Sequence, residues 1–246
     1  MTPKNPPPTP KLLIAVLAFA WFAFASAQVD ERARVLLDGL RPPAGETVET
    51  LQQVTVMVLH GQDDFEVRTR SVFDYVNERA AIETEIAPGM AGTVIVADGQ
   101  VRMVMGGFSV PLPGAVADAF ADVFDVDPAD PYGEGTVATY DGVQSYGGVL
   151  EGEQVTVRGA GAGAIAGVEA DDESRLIFDG AGRLLGVVVD SDDGQMAIVF
   201  ATPVRGSTVV GNDATMYLLR AGGPERFATM RFEDVRVNEP IPEGIF

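Results

Sequence analysis

Short apolar runs separated by tight turns dominate the C-terminal part of the chain. Asp179-Gly180 and Asp193-Gly194 stand between runs rich in Val, Ile and Leu. Asp-Gly pairs in this setting are typical of β-hairpins. The pattern predicts strands at Arg175–Phe178, Arg183–Asp190, Gln195–Thr202 and Phe227–Val237. A meander of this kind must close into a barrel or be covered, because open strand edges invite pairing with other chains.

Further strands are predicted earlier in the chain, and several are apolar on both faces. They lie at Val54–Leu59, Phe65–Val76, Ala80–Ile86, Thr93–Ala97, Val101–Met105 and Gln154–Arg158. Because side chains alternate along a strand, Val54, Val56 and Val58 share one face, whereas Met57 and Leu59 share the other. The same alternation pairs Met103 with Met105 and Ile198 with Phe200. Such strands are buried on both sides or line a cavity, and the methionines fit either a core or a ligand-lining surface.

Two helices interrupt the predicted strands. Asp30–Leu40 has apolar residues at helical spacing and is followed by Arg41-Pro42-Pro43. Pro113–Val126 is a second amphipathic helix, with Phe120 and Phe124 on its apolar face. A shorter helical turn is expected at Thr47–Gln52. Helices of this kind pack their apolar stripe on a sheet.

The N-terminus has the pattern of a secretory signal peptide. Lys4 and Lys11 precede the apolar run Leu12–Phe24, and Ala25-Ser26-Ala27 is a small-residue cleavage site. The run is shorter than the roughly 20 residues of a spanning helix. We therefore expect cleavage after Ala27 and a periplasmic or otherwise exported mature protein, with residues 28–246 forming a single domain. An uncleaved membrane anchor is the alternative.

The net charge and the absence of cysteine exclude several classes of partner and of chemistry. Without residues 1–27 the chain has 15 arginines, no lysine and 36 acidic residues, a net charge near −21. Such a charge argues against nucleic acid and anionic lipid head groups as partners. The chain has no Cys, which excludes disulfides, Cys–His catalysis and a lipid-anchored cysteine. We expect a monomer with no cofactor.

Candidate catalytic and metal motifs are weak. The segment Gly159–Gly167 resembles a dinucleotide-binding loop, but no helix follows it, and a flexible loop is favoured. The acidic turns at Asp171–Glu173 and Asp190–Asp193 lack the spacing of a calcium loop. His60 is the only histidine and the chain has no Cys, which argues against a zinc site. No motif in the sequence therefore supports an enzymatic function.

The order of these elements resembles that of the LolA-like periplasmic carriers of outer-membrane lipoproteins. The resemblance covers nearly the whole mature chain. Four segments carry it: Asn77-Glu78-Arg79, Asp98-Gly99-Gln100, Phe178–Leu184 and Val235–Phe246. It implies a mainly β (α+β) fold, an incomplete antiparallel barrel whose concave apolar face is covered by helices. The function it implies is transport in outer-membrane biogenesis, with lipid or acylated lipoprotein as cargo and membrane-protein donors or acceptors as partners.

The resemblance also implies site residues. In the carriers an arginine on an early strand latches the lid, and Arg79 is the matching position, although Ala80 stands where the carriers have Pro. A strand-surface arginine paired with an acid is the alternative for Arg79. The expected cavity and lid residues are Val56, Val58, Met103, Met105, Phe108, Phe120, Phe124, Ile198 and Phe200.

Three function classes follow from the sequence. A carrier or binder of lipid or lipoprotein is the leading hypothesis, in which the helix Pro113–Val126 exchanges its own apolar contacts for cargo contacts. A LolA-like lipid-sensing regulatory domain is the second. A structural envelope protein with a packed barrel is the third.

Overall fold

A computed structural model describes residues 30–41, 48–61, 63–87, 90–112, 137–158, 173–191, 194–206 and 212–246. Three predicted features lie outside these residues: the signal peptide 1–27, the helix Pro113–Val126 with Phe120 and Phe124, and the glycine-rich segment Gly159–Gly167.

One helix and thirteen strands make up the described fold. The helix α1 spans Glu31–Asp38. The first six strands are β1 Thr50–Leu59, β2 Phe65–Asp74, β3 Arg79–Ala87, β4 Met90–Ala97, β5 Gln100–Met105 and β6 Phe108–Pro111. The other seven are β7 Val137–Tyr146, β8 Leu150–Arg158, β9 Glu173–Phe178, β10 Leu184–Ser191, β11 Gly194–Val204, β12 Ala214–Arg220 and β13 Gly223–Val237.

All thirteen strands belong to one antiparallel sheet, in the order β6-β5-β4-β3-β2-β1-β13-β12-β11-β10-β9-β8-β7. Strands β1–β6 form one meander and β7–β13 form another, and the two join where β1 pairs with β13. The strands β6 and β7 are the edges, so the described sheet does not close into a barrel. The predicted fold class is confirmed.

The helix α1 is fixed at both ends by backbone hydrogen bonds. The Asp30 side chain caps its N-terminus by accepting from the amide of Arg32 at 2.8 Å. The Asp30 amide donates to the carbonyl of Ala138 in β7 at 3.1 Å, and the Gly39 carbonyl accepts from Gly206 at 2.9 Å. The apolar stripe of the helix therefore lies against the sheet. It packs into a cluster that includes Leu36, Leu37, Val155, Leu176, Phe178, Val187 and Val189.

The predicted helical turn at Thr47–Gln52 is wrong where the structure describes it, because Thr50–Gln52 are part of β1. Pairing with strands on both sides explains the difference. Gln52 pairs with Val72 of β2 and with Arg236 of β13, and Thr50 pairs with Asp74 of β2. Tertiary pairing overrides weak local preferences in such segments. Within the described ranges, no helix is long and apolar enough to cross a membrane.

Candidate functional site

The register of the strands defines two faces of the sheet. Residues that are direct cross-strand partners lie on the same face. Val187 packs with α1, which identifies the face that the helix covers. A row of direct partners crosses six strands from there: Val187, Ile198, Met216, Ala228, Leu59 and Phe65. Every side chain in this row is apolar, and we call this side of the sheet the apolar face.

Further rows extend the apolar face in both directions. One of them runs from β11 to β2 through Phe200, Ala214, Met230, Met57 and Val67. Another runs from β3 to β6 through Ile82, Val94, Met103 and Val110. Met105 and Phe108 are also partners on this face. The apolar face therefore continues across the join between the two meanders and out to the edge strand β6.

The apolar face is covered unevenly. Under α1, side chains such as Val187 and Phe178 are fully buried. On strands β1, β2, β5 and β6, large apolar side chains stay accessible. Their exposed fractions are 36% for Leu59, 43% for Phe65, 58% for Met105, 78% for Phe108 and 57% for Val110. Exposed apolar side chains grouped on one surface are typical of binding sites for apolar ligands or partners.

The opposite side of the meander β1–β6 carries charged side chains among buried apolar ones such as Val54, Val72 and Ile95, and we call it the charged face. Val56 is directly opposite Arg68 on one side and Arg231 on the other. An Arg68 guanidinium nitrogen lies 3.0 Å from a carboxylate oxygen of Glu233. Val56 is nonetheless buried, at 1% exposure. Long arginine side chains cover apolar neighbours with their methylene groups in this way.

The structure brings five of the predicted cavity residues to the apolar face and leaves two elsewhere. Met103, Met105, Phe108, Ile198 and Phe200 share the apolar face. Val56 and Val58 lie on the charged face, where Val58 is opposite Glu66 and Thr229. Both faces of β1 are apolar in sequence, so alternation alone does not choose between them.

Sequence reasoning missed several residues of the apolar face. They include Met57, Leu59, Phe65, Val67, Met216 and Met230. The sequence of β2 contains a signal that distinguishes the two faces, because the charged Arg68 and Arg70 alternate with Val67 and Thr69. Once the register of the β1–β2 hairpin is known, this alternation assigns Met57 rather than Val56 to the apolar face.

Arg79 lies on the charged face and is held by other parts of the chain. Its guanidinium forms an ion pair and a hydrogen bond with the Asp74 carboxylate, and the Asn77 side-chain amide also donates to that carboxylate, at 2.8 Å. The guanidinium carbon is 4.5 Å from the centre of the Phe246 ring. This geometry matches the alternative of an arginine paired with an acid, since the partners are Asp74 and the C-terminus.

The Asp74 carboxyl is almost fully buried, at 5% side-chain exposure. Burial by itself raises its pKa, but the hydrogen bonds from Arg79 and Asn77 outweigh burial and hold the pKa below the usual value. The carboxylate thus stays ionised and keeps Arg79 at the end of β2 and β3.

A cleft of about 200 Å³ lies beside α1, away from the open part of the apolar face. Its walls include Arg32, Arg205 and the β9–β10 turn. Arg32 is already engaged there by Glu153, with a 2.7 Å hydrogen bond. Within the described ranges, no three metal-ligating side chains are grouped together.

The fold has counterparts among solved structures, although no family model and no curated protein matches the sequence. The chain is similar to a LolA superfamily protein from Nitrosomonas europaea, with 14% identity, 87% of this chain and 96% of that chain covered, and a TM-score of 0.51. A DUF1329 family protein from Desulfovibrio piger has 11% identity, 86% and 92% coverage, and a TM-score of 0.49. A putative outer membrane lipoprotein-sorting protein domain from Vibrio parahaemolyticus has 9% identity, 86% and 92% coverage, and a TM-score of 0.44.

The first of these similarities establishes the class of fold. The open antiparallel sheet with a helix on its apolar face thus matches a LolA-like fold. The resemblance stated from the sequence is therefore confirmed at the level of the fold.

Proposed function

We propose that this chain is an exported, non-catalytic protein that binds the acyl chains of a lipid or lipoprotein on its apolar face. The observation that carries the proposal is the group of accessible apolar side chains on β1, β2, β5 and β6, with Phe108 78% exposed. The LolA-like fold and the signal-peptide pattern support it. Each buried methylene group contributes about 0.8 kcal/mol, so one acyl chain suffices for useful binding.

The biological setting is the second part of the proposal. After cleavage following Ala27 the protein works in the periplasm as a monomeric single domain. It carries its cargo between membrane-protein donors and acceptors during outer-membrane biogenesis. The strong negative charge keeps it in solution and away from anionic membrane surfaces.

A glycine on the apolar face allows a sharp test of ligand binding. Gly92 is directly opposite Thr84 and Met105, and a Cβ added there would have no atom within 4 Å. The Gly92→Trp side chain therefore extends over the apolar face. We expect at least a tenfold loss of affinity for a fluorescent fatty acid, measured by titration, since an indole displaces several methylene contacts.

The neighbouring residue supplies the matched control. Thr93 is opposite Glu83 and Val104 on the charged face, so Thr93→Trp adds the same side chain to the other side of β4. We expect Thr93→Trp to bind the probe as the wild type does. Equal binding by both variants, or equal loss in both, contradicts the proposal that the apolar face is the binding surface.

The lid is proposed from the sequence alone. Residues 112–136 connect the two edge strands, and the helix predicted at Pro113–Val126 belongs to this connection. A helix that packs Phe120 and Phe124 on the apolar face competes with cargo and keeps the net affinity moderate. We expect the double substitution Phe120→Asp and Phe124→Asp to raise lipid affinity by about tenfold, since two aromatic contacts that compete with the cargo are lost. Unchanged affinity in the same titration contradicts the lid.

A further inference from the structure

Polar side chains interrupt the apolar face across β1, β2 and β3. Gln53 is directly opposite Ser71, Thr55 is opposite Thr69, and Thr69 is opposite Thr84. We call these five residues the polar patch. The hydroxyl oxygens of Thr69 and Thr84 are 3.4 Å apart. The neighbours of the polar patch on the same face are apolar: Leu51, Met57, Val67, Phe73 and Ile82.

One buried atom of the polar patch lacks a hydrogen-bond donor. The side-chain oxygen Oε1 of Gln53 is buried, and no described residue donates a hydrogen bond to it. The residue as a whole is half-buried, so part of its side chain remains accessible. Leaving a buried carbonyl oxygen without a donor costs about 1–3 kcal/mol. A ligand that brings an N–H or O–H group to this position recovers that energy.

The backbone around Gln53 is irregular as well. Gln52 pairs with Arg236 and Val54 pairs with Glu233, so β13 has one extra residue opposite Gln53. In this β-bulge Asp234 adopts a positive φ of 51°. Bulges redirect nearby side chains and recur next to functional sites. The bulge lies where the two meanders join, in the middle of the sheet.

We infer that the polar patch binds the linkage group of the lipid, through a hydrogen-bond donor next to the acyl chain. This inference rests on the proposed function. When the half-buried Gln53 amide turns towards the accessible side of the apolar face, its Oε1 accepts from an amide N–H or a free hydroxyl of the ligand. The hydroxyls of Thr55, Thr69 and Thr84 both donate and accept, so they also serve the carbonyl of the linkage. An acyl ester without a donor leaves Gln53 Oε1 unpaired and binds more weakly.

Three lipids with the same palmitoyl chain test this inference in the mature protein. N-methylpalmitamide has an N–H where methyl palmitate has an ester oxygen, and 1-monopalmitoylglycerol supplies hydroxyl donors instead. By displacement of a fluorescent fatty acid, we expect the wild type to bind the amide about fivefold more tightly than the ester, the effect of one hydrogen bond. If 1-monopalmitoylglycerol also binds more tightly than methyl palmitate, its hydroxyl groups act as donors to the polar patch.

Substitution of Gln53 locates the preference. Gln53→Met keeps the length of the side chain and removes the acceptor, so the amide-to-ester ratio falls to about one. Gln100→Met, at the exposed start of β5, is the control and keeps the wild-type ratio. Equal binding of amide and ester by the wild type, or a preference that survives in Gln53→Met, overturns the inference alone. No binding of any of the three lipids contradicts the proposed function as well.

The comparison of lipids in the wild type does not depend on any variant. If Gln53→Met does not fold, as circular dichroism would show, Thr69→Val removes a neighbouring hydroxyl of the polar patch. We then expect methyl palmitate and N-methylpalmitamide to lose affinity by a similar factor of about three, because both present a carbonyl to this hydroxyl, while the amide-to-ester ratio stays at about five. Unchanged affinity for both lipids, or a ratio that falls to one, overturns the inference.

Discussion

At the scale of single residues, the Asp74 carboxylate joins parts of the chain that are distant in sequence. It accepts hydrogen bonds from Arg79 and Asn77, and Arg79 in turn lies against the ring of Phe246. The C-terminal segment is also tied to β1, because Asn238 Oδ1 accepts from the amide of Glu49 at 2.7 Å. The residues of the Asn77-Glu78-Arg79 motif thus hold the end of the chain against the charged face.

The lowered pKa of Asp74 predicts how stability depends on pH. Its pKa is lower in the folded state than in the unfolded state, where it is about 3.9. The stabilising contribution is therefore complete above the unfolded value and is lost as the pH falls through the folded value. We expect Asp74→Asn to lower the free energy of unfolding by about 2 kcal/mol at pH 7, and by less below pH 4.

Urea denaturation at pH 7 and pH 3 checks this prediction. Asp98→Asn is a suitable control, because it removes one carboxylate from the exposed β4–β5 turn, where Asn also adopts a positive φ. We expect this control to remain close to the wild type at both pH values. A difference between wild type and Asp74→Asn that does not shrink in acid contradicts the role of the ionised carboxylate.

Only part of this residue-scale arrangement could be predicted from the sequence. Arg79 could be identified from its motif, and an acidic partner was one of two alternatives. The sequence contains 36 acidic residues, however, and nothing local identifies Asp74 as the partner. That choice follows from the register of the β2–β3 hairpin, in which Asp74 and Arg79 are directly opposite.

At the scale of elements, two glycines permit close approach between neighbouring strands. A Cβ on Gly186 of β10 would lie 2.3 Å from the carbonyl oxygen of Ile198 in β11. A Cβ on Gly152 of β8 would lie 2.2 Å from the carbonyl oxygen of Phe178 in β9. Both obstacles are backbone atoms, which cannot move aside as a flexible side chain can. The pairing of β8–β11 therefore depends on glycine at these positions.

Two substitutions, one at a closely packed glycine and one at an open glycine, measure the effect of this close approach. We expect Gly186→Ala to lower the free energy of unfolding by about 2–3 kcal/mol, because the strands must separate to admit a methyl group. Gly92→Ala, which meets no atom within 4 Å, is expected to stay within about 0.5 kcal/mol of the wild type. Chemical denaturation checks both variants. Equal stabilities would contradict the close approach at Gly186.

The elements that could be predicted are those with strong local signals. The Asp98-Gly99 turn and the apolar runs beside it identify β4 and β5. Three strands were missed: Phe108–Pro111, Val137–Tyr146 and Ala214–Arg220. The first is only four residues long, and the second is interrupted by Asp141-Gly142. Their strand conformation depends on pairing with neighbours, which weak local patterns do not reveal.

At the scale of the whole molecule, the pairing of β1 with β13 makes one sheet of two meanders. It brings Met57 opposite Met230 and Leu59 opposite Ala228, and so makes the apolar face continuous. This pairing joins segments from opposite ends of the described chain, and no hairpin turn sets its register. The sequence therefore predicted the apolar strands and several residues of the apolar face, but it could not decide which side of β1 belongs to that face.

The claim that the apolar face binds acyl chains can be tested by native mass spectrometry of residues 28–246 purified from an envelope fraction. We expect a bound lipid or acylated protein in the wild type and in Thr93→Trp, and its loss in Gly92→Trp. Extraction of the bound species then identifies the cargo. A wild-type protein that has only its own mass and takes up no fluorescent fatty acid would contradict the claim and favour a packed structural domain.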